Sequence, residues 1–445
     1  MKRINSLIAA GVAVTICASL AGCGSSGSKG ASSDGVYYLN NKSEIVDSIQ
    51  VLGKKFTKET GVPFNARSAT SGTYVQTLKS ELAKSKPPTV FRVLGQVGLD
   101  QYKDYAAPIE DTEAYKQLED KSVALRSDDG KHVLAVPMVN ETYGLIYRKD
   151  LLQKYFDMPG ASIKNVKDIK DFKSLKTVAD EIQANKDKLG LEGAFSSMGF
   201  DASSYFRWYV HLSNMPIAYE FEKDHITKQP ATIKGTFLPQ FKNITDLYMN
   251  DSTVPKNTLG SKTLNDSLAE FNTGKAVFFH NGSWAWPNIR DGKVSASNVG
   301  AIPIYIGAPG ESNYGMATGS ETYWMVNKKA SPKAIKATKD FLKWLVTSDT
   351  GRDEWANTMG FSTPFKTFTG KYATKNPIMQ AANEYKKEGK KDVPWDFLYI
   401  PSEQWKSDLT NALLGYAQGT NGWDKVSKVF VDEWASEYKI AHQSK

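Results

Sequence analysis

Two tryptophans beside a polar turn are the residues whose types and spacing best suit ligand binding. Trp284 and Trp286 follow the apolar run 276–279 and the polar residues Asn281 and Ser283. A sugar presents an apolar C–H face and a rim of hydroxyls, so an aromatic ring beside amide and hydroxyl groups can bind it. A single tryptophan is more often part of the core. We therefore expect Trp284, directly after the turn, to contact ligand and Trp286 to pack behind it.

Three carboxylates could complete such a site. Glu141, Asp201 and Glu321 lie at predicted strand ends or helix starts, and charged acceptors make strong hydrogen bonds to hydroxyl groups. The same three could instead supply the paired carboxylates of a secreted glycoside hydrolase. The sequence leaves their separation open. A surface lipoprotein that binds peptides or acts as an adhesin is a third possibility.

Several other chemistries are excluded by missing motifs. The chain contains no phosphate-binding loop, dinucleotide fingerprint, nucleophile elbow or zinc-protease motif. Its five histidines lack metal-ligand spacing, and both cysteines, Cys17 and Cys23, lie near the N-terminus. We expect no catalytic residue, no metal site and no cofactor. The net charge of +8 is spread over many lysines, which gives no reason to expect a nucleic-acid partner.

The N-terminus predicts export and attachment to a membrane. Residues 1–22 combine Lys2 and Arg3 with an apolar segment, which is typical of a signal peptide. The ending Leu20-Ala21-Gly22-Cys23 resembles the bacterial lipobox, so Cys23 is the expected lipidation site and first mature residue. The Gly/Ser-rich segment 23–34 predicts a flexible tether. No later run of about 20 apolar residues predicts a membrane span, so the lipid would be the only anchor.

The elements that must position the candidate residues alternate between strand and helix. The segment Val36–Leu39 predicts a strand. The following helix is predicted to start at Ser43 and to end at Gly61, and residues 89–94 predict a later strand that ends at Gly95. The turn Ser71-Gly72-Thr73 predicts the start of another helix. Alternation of this kind predicts an α/β fold with largely parallel sheets covered by helices.

The segment around the two tryptophans fits this scheme. A helix ending near Gly274 is followed by a short buried strand and then by the polar turn. Ligands of open α/β sheets bind at the carboxyl ends of such strands, which is where Asn281, Ser283 and Trp284 would lie.

The chain resembles the extracellular solute-binding proteins of ABC sugar importers, the family that includes the maltodextrin-binding protein. The resemblance covers nearly the whole mature chain. It is carried by segments 54–61, 144–147, 149–152, 281–289 and 327–332, in that order, together with the lipobox. It implies two α/β lobes, each a mostly parallel sheet flanked by helices, joined by crossing strands, with sugar in the cleft. The expected first lobe is 35–139 and 303–345, and the expected second lobe is 140–302 and 346–445.

The resemblance also implies ligand-binding residues. Glu141 matches a ligand-contacting carboxylate, Trp284 matches a stacking tryptophan, and Trp405 falls near another. Together with residues placed by neighbouring motifs, the expected ligand-binding set is Asn40, Gln96, Glu141, Asp201, Asn281, Trp284, Glu321 and Trp405.

The expected partners are an oligosaccharide and the permease subunits of an ABC transporter, and the protein is expected to be a monomer at the extracellular face of the membrane. The first strand and the turn at 71–73 look closer to oligosaccharide-binding relatives from Gram-positive bacteria. That branch suggests a ligand containing β-linked galactose or N-acetylhexosamine rather than a malto-oligosaccharide.

Overall fold

The computed structural model describes residues 34–69 and 73–443. Cys23, the predicted signal peptide and nearly all of the predicted tether lie outside the described residues, as do Ser71 and Gly72. Strands and helices are numbered below in chain order. None of the helices in the described ranges combines the length and the apolar character needed to cross a membrane.

One six-stranded sheet forms the first lobe. Its strands lie in the order β2, β1, β3, β11, β5, β4. They are β1 (Val36–Asn40), β2 (Phe64–Ser68), β3 (Val90–Leu94), β4 (Leu125–Arg126), β5 (Val133–Pro137) and β11 (Thr322–Val326). Strands β1, β2, β3 and β5 run in one direction, and β11 and β4 run against them. The covering helices are α1 (Val46–Thr60), α2 (Tyr74–Leu82), α3 (Gly95–Tyr102), α4 (Glu113–Lys116), α12 (Pro332–Thr347) and α13 (Asp349–Asp353).

A second sheet forms the other lobe. Its strands are β6 (Glu141–Arg148), β7 (Gly193–Phe195), β8 (Ala276–Gly282), β9 (Val299–Ile302), β10 (Tyr314–Gly319) and β12 (Lys391–Val393). Strand β6 pairs antiparallel with β8, β9 and β10, so it runs against the rest of its sheet. Strand β6 enters this lobe directly from β5 of the first sheet, and β10 leaves it for β11.

The second lobe holds the remaining helices. They are α5 (Lys149–Phe156), α6 (Phe172–Ala184), α7 (Lys186–Leu189), α8 (Ser213–Lys223), α9 (Leu238–Asn250), α10 (Leu264–Asn272), α11 (Trp286–Asp291), α14 (Pro377–Lys387), α15 (Glu403–Gln418), α16 (Trp423–Lys428) and α17 (Trp434–Gln443). Two π-helical turns matter for the site, Arg207–Leu212 before α8 and Glu354–Thr358 after α13. The predicted two-lobed α/β fold is confirmed.

Three connections join the lobes. The first runs from β5 to β6 through 138–140, the second from β10 to β11 through 320–321, and the third between Tyr372 and Asn376. The first two lie side by side: Met138 N donates to Thr322 O at 2.9 Å, and Ser320 Oγ donates to Val139 O at 2.7 Å. The crossing strands are therefore held together where the lobes meet.

The lobe boundaries differ from the predicted ones. Strand β10 belongs to the second sheet, although 303–345 was expected to lie wholly in the first lobe. Trp355 and Phe365 belong to the core of the first lobe, although 346–445 was expected in the second. The reason is the third connection, which returns the chain to the second lobe only after Tyr372. Motif order along the chain gives no indication of that late return.

Candidate functional site

A narrow recess lies between the two lobes. The second lobe contributes one wall, and the first lobe contributes the other through the loop after the π-helical turn Glu354–Thr358. The lining residues are Glu141, Ser283, Trp284, Pro287, Met359, Gly360, Phe361 and Ser362. Since both lobes line the recess, a ligand bound in it would contact both.

Trp284 is held in place by the end of β8. A Cβ on Gly282 would lie 2.3 Å from the indole ring, so only glycine lets the ring fold back over the strand end. Ser283 fixes the turn from two sides: its Oγ accepts from Thr142 N at 3.3 Å, and its backbone carbonyl accepts from Asn376 Nδ2 at 2.7 Å. The indole itself remains half-buried, with part of its surface open to the recess.

A stack of aromatic rings supports Trp284 from within the second lobe. The His211 ring lies 5.1 Å from Trp284 and stacks on Tyr143 at 4.3 Å. His211 belongs to the π-helical turn, a local geometry that is frequent at functional sites. Burial, and then the nearby Arg207 guanidinium, lowers the pKa of His211 to about 3, so the ring is neutral at physiological pH.

An ion pair lies beneath the recess. Lys42 follows β1 in the first lobe, and Glu141 begins β6. The distance from Lys42 Nζ to Glu141 Oε1 is 2.7 Å. Both side chains are more than nine-tenths buried. Burial lowers the pKa of Lys42, but nearby carboxylates outweigh burial and raise the pKa above its ordinary value. Burial raises the pKa of Glu141, and Lys42 only partly offsets that shift.

Two of the predicted residues lie next to this pair. Asn40 is fully buried and its side chain is bonded to its surroundings: Nδ2 donates to Lys42 O and to Ser68 Oγ, and Oδ1 accepts from Lys42 N. Its role in the structure is to position Lys42. Glu321 lies in the second connection between the lobes, and its backbone carbonyl accepts from Gly95 N at 3.1 Å.

Three more of the predicted residues do not line the recess either, and of the eight only Glu141 and Trp284 do. Gln96 is exposed on α3, where its Nε2 donates to Asp100. The Asp201 carboxylate accepts from Ser203 N at 3.2 Å and from its hydroxyl at 2.9 Å, as a cap of the following turn. Asn281 is 1% exposed, and its Oδ1 accepts from Gly282 N.

Trp405 is a correction to the predicted ligand contacts. It is fully buried in the second-lobe core, and its ring lies 5.6 Å from Trp434. Its indole N–H donates to Phe430 O at 3.1 Å, which leaves no polar atom for a ligand. The motif placed Trp405 near a stacking residue, but α15 turns this side chain toward the core. Trp286 packs in a core, as the sequence predicted.

Trp395 packs on the aromatic stack behind Trp284, and the sequence interpretation did not single it out. Its ring covers Gly319 at the end of β10, where an added Cβ would lie 3.1 Å from it, and it lies 5.7 Å from Tyr143. Its indole N–H is buried without a hydrogen-bond partner among the described residues. The only signal in the sequence is a tryptophan between Pro394 and Asp396, in a segment with no clear periodicity.

The arrangement is suited to binding. Within the described residues, no group of three or more His, Cys, Asp or Glu side chains is placed to hold a metal ion. The recess offers two aromatic rings, one carboxylate and two hydroxyls, from Trp284, Phe361, Glu141, Ser283 and Ser362. These groups can hold the face and the rim of a polyhydroxylated ring.

Comparison with known proteins gives the family. The model of a family described as bacterial extracellular solute-binding protein matches residues 52–387. No curated protein matches the sequence.

Several solved structures share the fold. A chitin oligosaccharide binding protein is 18% identical, with a TM-score of 0.68 over 92% of this chain and 99% of that one. RafE from Streptococcus pneumoniae is 16% identical, with a TM-score of 0.66 over 92% and 100% of the two chains. RafE in complex with raffinose is also 16% identical, with a TM-score of 0.68 over 91% and 99%. A family 1 extracellular solute-binding protein from Bifidobacterium longum subsp. infantis is 17% identical, with a TM-score of 0.62 over 90% and 98%. At such identities the likeness concerns the fold.

Proposed function

The chain belongs to the bacterial extracellular solute-binding protein family, and from that premise we propose that it captures a di- or oligosaccharide between its lobes for an ABC importer. A member of this family binds its solute rather than transforming it, so the protein is a binding protein and not an enzyme. The observation that carries the sugar proposal is the position of Trp284 and Glu141 on one recess that both lobes line. The structural neighbours named after chitin oligosaccharide and solved with raffinose are consistent with it.

Each group has a part in the proposed binding. Trp284 stacks on the apolar face of a pyranose, and the second oxygen of Glu141 accepts a hydroxyl hydrogen. Ser283 and Ser362 bind further hydroxyls from opposite lobes. Asn40 acts through Lys42, which fixes the Glu141 carboxylate.

Binding and transport are coupled through the two-sided recess. A ligand that contacts both lobes stabilises the arrangement in which they are close together, because those contacts are lost when the lobes separate. The closed arrangement is then the form that the permease subunits recognise. A ligand containing β-linked galactose or N-acetylhexosamine remains our choice of sugar.

The proposed location is the outer face of the cell membrane, where Cys23 carries the lipid and the protein acts as a monomer. We expect the full-length protein to partition into the detergent phase on Triton X-114 extraction and Cys23→Ser to stay in the aqueous phase. Equal partitioning of the two proteins would contradict the anchor.

The experiment that tests the function is calorimetric titration of the mature protein with a glycan panel. The panel contains galactosides, N-acetylhexosamine oligomers, raffinose-type sugars and malto-oligosaccharides of two to four units, with amino acids and dipeptides as non-sugar solutes. We expect saturable binding of one class of sugar at a stoichiometry of one. Binding of a peptide or amino acid in place of every sugar would overturn the proposal.

A further inference from the structure

Lysines are concentrated at the end of the first lobe where β1 begins. The loops at this end carry six exposed lysines, named the basic edge below: Lys58, Lys84, Lys86, Lys328, Lys329 and Lys333. We propose that the basic edge lies on an anionic membrane surface, so that charge holds the protein there in addition to the lipid on Cys23. This inference rests on the proposed location of the protein, and it adds a second contact with the membrane.

Hydrogen bonds bring the loops of the basic edge together. Val36 N, at the start of β1, donates to Pro63 O at 2.9 Å, which places the loop after α1 beside the start of this strand. Asn327, directly after β11, donates to Pro88 O through Nδ2 and to Thr89 O through its backbone N, both at 2.8 Å. Lysines from three distant stretches of the chain therefore share one end of the sheet.

Carboxylates neutralise the basic edge only in part. Lys84 pairs with Glu81 at 2.7 Å, and Lys333 pairs with Asp34 at 3.1 Å. Within the described parts of the chain, the lysines of this edge that form no ion pair are Lys58, Lys328 and Lys329.

One further carboxylate belongs to these loops. Glu59 is bonded to the lobe itself, since it accepts from Trp344 Nε1 at 2.7 Å and from Thr350 Oγ1 at 2.6 Å. The neighbouring loop at 103–105 carries one charge of each sign. The lysines of the basic edge thus outnumber the carboxylates of its loops by two to one, and the end of the lobe is positively charged.

The predicted tether ends at the basic edge. Residues 24–33 separate Cys23 from Asp34, which pairs with Lys333 of this edge. A Gly/Ser-rich chain of about ten residues averages roughly 18 Å from end to end. A lipid on Cys23 therefore keeps the basic edge close to the bilayer. Each lysine near an anionic surface contributes about 1 kcal/mol, and a lipid chain together with a basic patch gives stable attachment.

The recess lies toward the opposite end of the same sheet. Strand β1 ends at Asn40, shortly before Lys42, which meets Glu141 of the second lobe beneath the recess. With the basic edge on the membrane, the carboxyl ends of β1, β2 and β3 point away from the lipid. The recess is then held on the side of the solution, from which the solute is captured.

Vesicle association of a protein without lipid tests the basic edge by itself. The mature chain with Cys23→Ser would be sedimented with vesicles of phosphatidylcholine, and with vesicles that contain about three parts of phosphatidylglycerol to one of phosphatidylcholine, at low salt. We expect association with the anionic vesicles to be about tenfold tighter or more. Raising the salt to about 0.5 M should abolish this difference. Equal association with both kinds of vesicle would overturn the inference.

Two double variants with the same change of charge locate the effect. Lys328→Gln/Lys329→Gln should weaken association with the anionic vesicles about tenfold. Lys425→Gln/Lys428→Gln neutralises two exposed lysines on α16 of the second lobe and should weaken it less than twofold. Equal losses in the two variants would assign the attraction to net charge and overturn the basic edge.

The outcomes separate this inference from the other proposals. Lack of preference for anionic vesicles overturns the basic edge and leaves both sugar capture and the lipid on Cys23 standing. Failure of the glycan titration overturns the proposed function and does not change the expected vesicle result, because no sugar is present in that experiment.

Discussion

Trp284 and Trp405 stand in opposite situations, although the family resemblance predicted both as ligand contacts. Trp284 ends a strand at the junction of the lobes, and its half-buried ring is backed by His211 and Tyr143. Trp405 lies inside the second lobe, with its N–H bonded to Phe430 O. One ring has a face left for a ligand and the other has none. A tryptophan that binds a ligand is therefore identified by a ring face that the rest of the protein leaves uncovered.

The largest expected effect is on stability, at Trp405. Trp405→Ala should lower the free energy of unfolding by about 3–5 kcal/mol, because it leaves a cavity in a packed core. Urea denaturation measures the change, and Trp405→Phe should lose clearly less. Sugar affinity per folded molecule should be unchanged in both. A selective loss of affinity in a stable Trp405 variant would return this residue to the site and end the contrast.

Removing Lys42 is the next largest change. Lys42→Met should cost about 3 kcal/mol, because Glu141 is left buried without its partner. The double variant Lys42→Met/Glu141→Leu should recover part of that loss, since it removes both buried charges. Urea denaturation of the wild type, Lys42→Met, Glu141→Leu and the double variant gives the coupling energy. A double variant no more stable than Lys42→Met would show that the pair does not govern this region.

Trp284→Ala should act on binding rather than on folding. We expect affinity for the preferred sugar to fall roughly thirtyfold, about 2 kcal/mol, with a smaller change in unfolding free energy. The matched control is Trp423→Ala, a half-buried tryptophan on α16 that packs on Phe241 and Tyr416. That variant should keep the affinity. Calorimetry that shows equal affinities for Trp284→Ala and the wild type would remove Trp284 from the site.

The smallest effect concerns the rings that support Trp284. The pKa of His211 is lowered to about 3 in the folded protein, chiefly by burial. Below about pH 6.5 the His211 ring is therefore protonated in the unfolded chain but stays neutral in the folded protein. The contribution of His211 to the free energy of unfolding is present at neutral pH and is lost as pH falls toward 3.

The wild type should lose about 0.7 kcal/mol more than His211→Phe between pH 7 and pH 6. Comparing the two proteins cancels the opposite trend from Asp251, whose pKa burial raises to about 7. Denaturation curves at both values of pH measure the difference. Identical pH dependence in the two proteins would show that His211 is not held neutral by burial.

Much of the fold could be predicted, because its signals are local. Ser402 caps α15 as expected, accepting from Trp405 N at 3.0 Å, and Gly419 ends the helix with a positive φ. The same helical pattern placed Trp405 in line with Leu409 and Leu413, which are both buried. That line indicates the core side of the helix. The family motif outweighed it, and the prediction for Trp405 was wrong.

The site was harder to predict because its parts come from distant segments. Glu141 and Trp284 could be proposed from their own neighbourhoods. Lys42 is separated from Glu141 by 99 residues, and the loop that carries Phe361 comes from still later in the chain. Trp395 lies in a segment without periodicity, so nothing local marks its ring as facing Gly319.

The sequence by itself determined the strands, helices and caps, because hydrophobic spacing and turn residues act over a few neighbouring positions. Only the tertiary structure decided which side chains share the recess. The reason is physical: packing of the two lobes brings Lys42 to Glu141, and packing within the second lobe brings His211 to Trp284 and buries Trp405 in the core. These contacts depend on how distant segments of the chain pack against one another, which no short segment determines.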